Sequence, residues 1–200
     1  GRGPRLRERT ETLPKPLVEV GGKPLIWHVI QIYARQGFTR FYPLTGYLGE
    51  KIEEFVAGEA WPEGVSVECV ETGLDTPTGG RIALARDLVD GTFCATYADG
   101  VSDIDLTALL DFHRSGGRAA TMTAVRPNLQ WGVAEIDTAG EVTGFTEKPR
   151  SEHWINGGFF CFEPSVLDWL GSDSVLEREP LEGLAADGQL GAFRHQGFWD

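Results

Sequence analysis

The chain has 200 residues and a formal net charge of −12. That length normally makes one domain with a core large enough to fold without disulfides or a structural metal, and the acidic balance argues against nucleic acid as a partner. No apolar run approaches the roughly 20 residues that span a bilayer, and no signal-peptide pattern is read at the start.

The first readable elements are two short loops, Gly1-Arg2-Gly3-Pro4-Arg5-Leu6 and Pro14-Lys15-Pro16-Leu17. Two glycines let a backbone approach an anion closely, and an arginine and a lysine nearby can neutralise its phosphates. Each piece also has an ordinary reading: short Gly/Arg runs are common, and Pro-Lys-Pro forms an extended, solvated bend. A helix is predicted between Pro24 and Gly37, where Ile26, Val29, Ile30 and Tyr33 share one apolar face. Thr39 to Leu44 reads as a strand. Leu48, Ile52, Phe55 and Val56 give a second helical stripe, and Val65 to Val70 a short strand after the turn at Trp61 to Gly64. Ile82, Ala85, Leu88 and Val89 place a third helix over Gly79 to Val89. Thr92 to Tyr97 is almost continuously apolar, as a central parallel strand covered on both faces would be. Leu106, Leu109, Leu110 and His113 mark a fourth helix with Asp105 as its N-cap, and His113 reads as a core histidine.

The second half changes character. Strands are expected at Ala119 to Val125, Gly132 to Asp137, Glu141 to Thr146 and Ile155 to Phe162, with helices near Pro164 to Leu170 and Glu177 to Ala186. The expected fold class is α/β: a mixed, mostly parallel sheet flanked by helices, with a more antiparallel α+β C-terminal half. Cys69, Cys94 and Cys161 have no metal-ligand spacing and read as buried, reduced thiols of a cytoplasmic protein.

Asp99 follows the most apolar strand, at the carboxyl end where open α/β sheets bind ligands. A carboxylate there suits Mg²⁺ held against substrate phosphates; Asp99-Gly100 is equally a strong turn pair. Asp103 and Asp105 resemble a second metal pair, but capping the following helix accounts for at least one of them.

The ordered motifs carry more than any single one. Gly1-Arg2-Gly3-Pro4-Arg5-Leu6 with Pro14-Lys15-Pro16 resembles the phosphate loop of the sugar-1-phosphate nucleotidyltransferases. Thr72-Gly73 through Thr78-Gly79-Gly80-Arg81, Tyr97-Ala98-Asp99-Gly100-Val101-Ser102-Asp103 and Thr121 to Pro127 are similar to segments of the glucose-1-phosphate cytidylyltransferases. Glu147-Lys148-Pro149, Trp154-Ile155-Asn156-Gly157-Gly158, Glu179-Pro180-Leu181 and Gly197-Phe198-Trp199 follow in the same order. The resemblance implies a Rossmann-like (GT-A-like) nucleotidyltransferase fold and transfer of a cytidylyl group from CTP to glucose 1-phosphate, giving CDP-glucose for surface-polysaccharide deoxysugars such as those of O-antigen lipopolysaccharide. It implies that Gly1, Gly3 and Arg5 hold the triphosphate, that Lys15 neutralises the reacting phosphate and that Asp99 binds Mg²⁺. It further implies that Thr78, Gly79 and Gly80 meet the base, and that Gly132, Glu147, Lys148, Asn156 and Gly157 line the sugar-phosphate pocket. From the residues alone, Thr78 can equally cap a helix whose glycines allow close packing, and Glu147-Lys148 can be a solvated charge pair.

The chain departs from the family pattern in four places. The first strand and the terminal segment with the second metal carboxylate are not found in residues 1–200, although Asp200 lies near that site in sequence. The segment between Tyr47 and Glu71 is short, and Pro4 replaces a threonine, losing a hydroxyl and a backbone N–H. The alternatives weighed are the same reaction with UTP or dTTP and a catalytically silent nucleotide-sugar-binding regulatory protein. A glycosyltransferase would want an Asp-x-Asp pair that Asp99-Gly100-Val101 does not supply. The expected partners are therefore a nucleoside triphosphate and a sugar 1-phosphate, with no nucleic acid and no membrane; a homo-oligomer is compatible with the family.

Overall fold

The computed structural model describes residues 13–200. Its centre is a four-stranded sheet in the order β12-β8-β11-β7, formed by β7 (Phe93–Thr96), β8 (Ala120–Val125), β11 (Ile155–Phe162) and β12 (Leu190–Arg194). β12 runs parallel to β8, whereas β11 is antiparallel to both β8 and β7. Alternation along β11 sends side chains to two different cores. Phe160 and Phe162 pack on one face with Leu176, Leu181 and Leu184, the last two from α5 (Glu179–Ala186). Phe159 and Cys161 pack on the other with Leu106 and Leu109 of α4 (Leu106–Gly116) and Val29 and Tyr33 of α1 (Leu25–Ala34).

The continuous apolar run at 92–97 does have both faces covered: Phe93, Ala95 and Tyr97 pack against one core and Cys94 against the other. Its placement differs from the expectation. Among the described residues, β7 lies at the edge of the four-stranded sheet and pairs antiparallel with β11. Apolar content reports burial of the two faces and carries no information on the direction of the neighbouring strand.

The helices follow their sequence periodicity. In α1, Ile26, Val29, Ile30 and Tyr33 are all buried. In α4, Asp105 caps the N-terminus by accepting from the Ala108 N–H at 2.9 Å. His113 is the core histidine expected: it is buried, with Nδ1 2.8 Å from Thr121 Oγ1 and Nε2 2.9 Å from Glu163 Oε1.

The predicted strand at 39–44 is broken into β3 (Arg40–Phe41) and β4 (Leu44–Thr45), and its partner into β5 (Ser66–Val67) and β6 (Val70–Glu71). Both pairs are parallel. Pro43 explains the gap, because it has no N–H to give the ladder and contributes only its carbonyl, to Val70 N at 2.9 Å. Ile52 and Val56 of α2 (Gly49–Gly58) close a third core with Leu17, Ile26 and Ile30.

A hairpin of β1 (Glu19–Val20) and β2 (Lys23–Pro24) turns on Gly21 and Gly22, both at positive φ, a conformation that favours glycine. The helix expected over 79–89 is α3 (Thr78–Leu84) followed by a 3₁₀ turn, Arg86–Leu88. β9 (Val133–Ile136) and β10 (Val142–Thr146) form a separate antiparallel hairpin. The second half is thus the more antiparallel one. No helix among the described residues is long and apolar enough to cross a membrane.

The three cysteines are free. Cys94 and Cys161, far apart in sequence, are directly opposed across β7 and β11 with their sulfurs 3.6 Å apart. The hydrogen bond to Cys94 and burial push the Cys161 thiol well above its usual range.

Candidate active site

The candidate site is built at the carboxyl end of β7. The prolines on either side of Lys15 hold the short 3₁₀ turn Lys15–Leu17, closed by Leu17 N–H donating to Pro14 O at 2.9 Å. Leu17 is buried in the third core. The turn thereby holds Lys15 over the end of β7, where Nζ lies 2.5 Å from Asp99 Oδ2. Both side chains are about one-third exposed, 35% and 36%, so the pair faces solvent and can exchange partners. Two candidate catalytic residues are thus brought together. Gly1, Gly3 and Arg5, the rest of the phosphate loop, lie outside the described residues.

The chain end lies alongside the Asp99 turn. Val101 N–H donates to Asp200 O at 2.9 Å and Asp200 N–H to Val101 O at 3.0 Å. Trp199 Nε1–H reaches back to Gly157 O at 2.8 Å. His195 Nε2 lies 3.1 Å from Ser102 Oγ, 3.0 Å from Asp103 Oδ1 and 3.0 Å from Phe198 O. A Ser-His-Asp relay needs both ring nitrogens; here every contact falls on Nε2, and the Ser102 hydroxyl donates to Phe198 O at 2.8 Å. The arrangement pins the terminal segment and does not activate a nucleophile.

Thr78 does not cap α3, whose N-cap is Pro77 with no side-chain hydrogen bond. Its hydroxyl instead donates to Glu177 Oε2 at 2.7 Å and accepts from Leu176 N–H at 3.0 Å. Gly79 and Gly80 are buried against the 171–174 loop, and Gly80 N–H donates to Ser174 O at 3.0 Å. A Cβ on Gly79 would sit 2.8 Å from Ser174 O, and one on Gly80 would run into Ser172 O. Close packing therefore accounts for both glycines.

Asn156, near the start of β11, donates from Nδ2 to the Tyr97 hydroxyl at 3.0 Å and accepts from Gly158 N–H at 2.8 Å. Tyr97 O–H in turn donates to Glu177 Oε1. Burial, then the hydrogen bond to Glu177 and its negative charge, push the phenol far above its usual range, so it stays protonated. Gly157, next to Asn156, is buried, and a Cβ there would lie 3.0 Å from Val125 Cγ1.

Glu147 and Lys148 are exposed just beyond β10. Among the described residues, neither makes a hydrogen bond or ion pair to Lys15, Asp99 or Asn156. Gly132 faces the same hairpin: a Cβ there would be 2.8 Å from Glu147 Oε2 and would overlap the Phe145 ring. The two segments that flank the hairpin are joined to each other through Leu129 N–H to Pro149 O at 2.9 Å and Ser151 N–H to Pro127 O at 2.8 Å. Lys148 is a non-glycine residue at φ +46, a strained left-handed conformation that clusters at functional sites.

Among the described residues, no three His, Cys, Asp or Glu side chains are grouped to hold a metal. The donor set still fits Mg²⁺, which is bound through one or two carboxylates completed by substrate phosphates and water. Asp99 offers one partly exposed carboxylate of that kind. Sequence reasoning missed Glu177 and gave Tyr97 no role. The only local signal for Glu177 was its place just before the Glu179-Pro180-Leu181 motif.

Comparison with known proteins gives the family. Residues 1–190 match the family model described as nucleotidyl transferase. The chain belongs to the nucleotidyl transferase family. It is 40% identical to a glucose-1-phosphate cytidylyltransferase of Salmonella typhi, over all of this chain and 86% of that one. It is 30% identical to a mannose-1-phosphate guanyltransferase beta-A of Xenopus laevis, over all of this chain and 58% of that one. The UDP-glucose pyrophosphorylase from Acinetobacter baumanii has the same fold, with a TM-score of 0.76 at 20% identity, over all of this chain and 84% of that one.

Proposed function

We propose that this nucleotidyltransferase moves the cytidylyl group of CTP onto glucose 1-phosphate, yielding CDP-glucose and pyrophosphate. The observation that carries the reading is the meeting of Lys15 and Asp99 at the carboxyl end of β7 in a chain that is 40% identical to a glucose-1-phosphate cytidylyltransferase along its whole length.

In this reading a phosphate oxygen of glucose 1-phosphate forms a bond to the α-phosphorus of CTP. The bond from that phosphorus to the bridging oxygen breaks, and pyrophosphate departs with the electron pair. Such a transfer asks the protein mainly for positioning and charge neutralisation. Lys15 releases Asp99 to face the α-phosphate, and as a compact point charge it follows oxygens whose charge changes during the step. Gly1, Gly3 and Arg5 hold the β- and γ-phosphates. The α3 start, Thr78-Gly79-Gly80, lies along the base. Gly132, Glu147, Lys148, Asn156 and Gly157 receive the sugar phosphate, with Glu147 on its hydroxyls and Lys148 on its phosphate. Asp99 would hold Mg²⁺, which when bound supplies Lewis-acid polarisation of the phosphate and screens the two anionic substrates from each other.

The proposal extends to one domain over 1–200, in the cytoplasm, open to homo-oligomer formation, with CDP-glucose consumed in making surface-polysaccharide deoxysugars. The test is pyrophosphate release by the full chain with Mg²⁺, glucose 1-phosphate and each nucleoside triphosphate in turn. CTP is expected to be fastest. Equal or faster turnover with UTP or dTTP refutes the choice of base, and CDP-glucose binding without any turnover replaces the enzyme with a silent regulatory protein.

A further inference from the structure

Glu177 meets both Thr78 and Tyr97, residues 99 and 80 positions away in sequence. We infer that it is a positioning residue, one carboxylate that orients the Thr78 hydroxyl on the nucleotide side and, through Tyr97, the Asn156 amide on the sugar side. The inference rests on the placement of Thr78 and Asn156 proposed above.

The hydrogen-bond directions require it. A carboxylate only accepts, so both hydroxyls that meet Glu177 must spend their protons on it. Thr78 donates to Oε2 at 2.7 Å and Tyr97 to Oε1. Each hydroxyl oxygen is then left as an acceptor, filled by Leu176 N–H at 3.0 Å and by Asn156 Nδ2 at 3.0 Å. Asn156 Oδ1 accepts from Gly158 N–H at 2.8 Å, so its amide has one orientation. Flipping it would set Oδ1 against an oxygen with no proton to give and Nδ2 against a donor. One Nδ2 hydrogen remains for a ligand. A single charged group thus sets a chain of five hydrogen bonds across α3, the end of β7 and the start of β11.

The fold does not need Glu177 for its own sake. Its neighbours Leu176, Pro180 and Leu181 are buried, and Leu176 and Leu181 belong to the main core, while Glu177 itself is exposed. The segment is anchored by apolar packing and leaves this carboxylate exposed.

The experiment measures melting temperature, kcat and the KM of each substrate for the full chain and for Glu177→Gln, Glu177→Asp, Tyr97→Phe and the Glu177→Gln/Tyr97→Phe pair. Glu177→Gln keeps shape but leaves one hydroxyl without an acceptor. It should melt within a few degrees of wild type and raise the glucose 1-phosphate KM about tenfold, as expected for loss of a charge-assisted bond. Tyr97→Phe should do the same, and the double variant should be no worse than either single one. Glu177→Asp, one methylene short of spanning both hydroxyls, should not rescue. A purely structural role would lower the melting temperature and leave KM unmoved. Wild-type KM values for both substrates in Glu177→Gln, or additive losses in the double variant, overturn the inference alone; should Glu177→Gln not fold, an unchanged KM in Tyr97→Phe does so. A wild-type chain that releases no pyrophosphate refutes the proposed reaction, and this inference with it.

Discussion

Replacing Asp99 with asparagine separates the two things the residue could be for. In the structure its carboxylate meets Lys15 Nζ at 2.5 Å, a close ion pair. Both side chains are about one-third exposed, so water and salt screen the attraction, and pairs of this kind contribute about 0–1 kcal/mol. Asparagine keeps the shape and still offers an oxygen to Lys15. The expected cost is therefore below about 1 kcal/mol, which for a chain of this size lowers the melting temperature by about 2–4 °C. Turnover should respond on another scale. Losing the negative charge that would hold the metal at the reacting phosphate should cost at least about 10³-fold in kcat/KM, roughly 4 kcal/mol of transition-state stabilisation. Thermal melting and coupled pyrophosphate release on one preparation give both numbers. Turnover within tenfold of wild type would remove Asp99 from the catalytic set. A melting drop above about 10 °C would make the pair a structural clamp, contrary to the screening argument.

Three further outcomes follow from other parts of the molecule. Gly80→Ala drives a methyl group into the Ser172 carbonyl, and should destabilise by about 1–3 kcal/mol in urea unfolding; an unchanged midpoint would mean that the 171–174 loop yields freely. His113→Ala strands Thr121 and Glu163 and leaves a cavity under α4, costing about 3 kcal/mol by the same measurement, while kcat per folded molecule stays at the wild-type value. The melting temperature should fall as pH rises from 9 to 11. Burial, aided by the charge of Glu53, pushes the Cys69 thiol up to about 11, and Tyr97 and Cys161 are raised as well. A raised folded value favours the protonated form in the native state. That stability is present below the ordinary thiol range and is lost as pH climbs through the folded value. A profile flat to pH 11 would contradict the burial of these groups, and Cys69→Ala should remove part of the slope.

What the sequence made legible and what it hid divide along a physical line. α1 and α4 were readable because their stripes face the cores that bury them, and Asp105 because a cap is a local hydrogen bond. β12 was not: Leu190-Gly191-Ala192-Phe193-Arg194 carries weak strand propensity, and its conformation comes from pairing with β8. Glu177 sits in a charged, exposed run that locally reads as solvated surface. Its partners Thr78 and Tyr97 are 99 and 80 residues away. Lys15 and Asp99 show how the two kinds of information combine. Each stands out by its own segment, Lys15 as a cation following the glycine-rich loop and Asp99 as the residue ending an apolar strand, yet 84 residues separate them. Local rules supply the residue types; the third core, which seats Leu17, and the register of β7 on β11 bring them within hydrogen-bond distance of each other. The site is therefore sensitive to packing well removed from it: a change that loosens Leu17 should separate Lys15 from Asp99 without altering either residue.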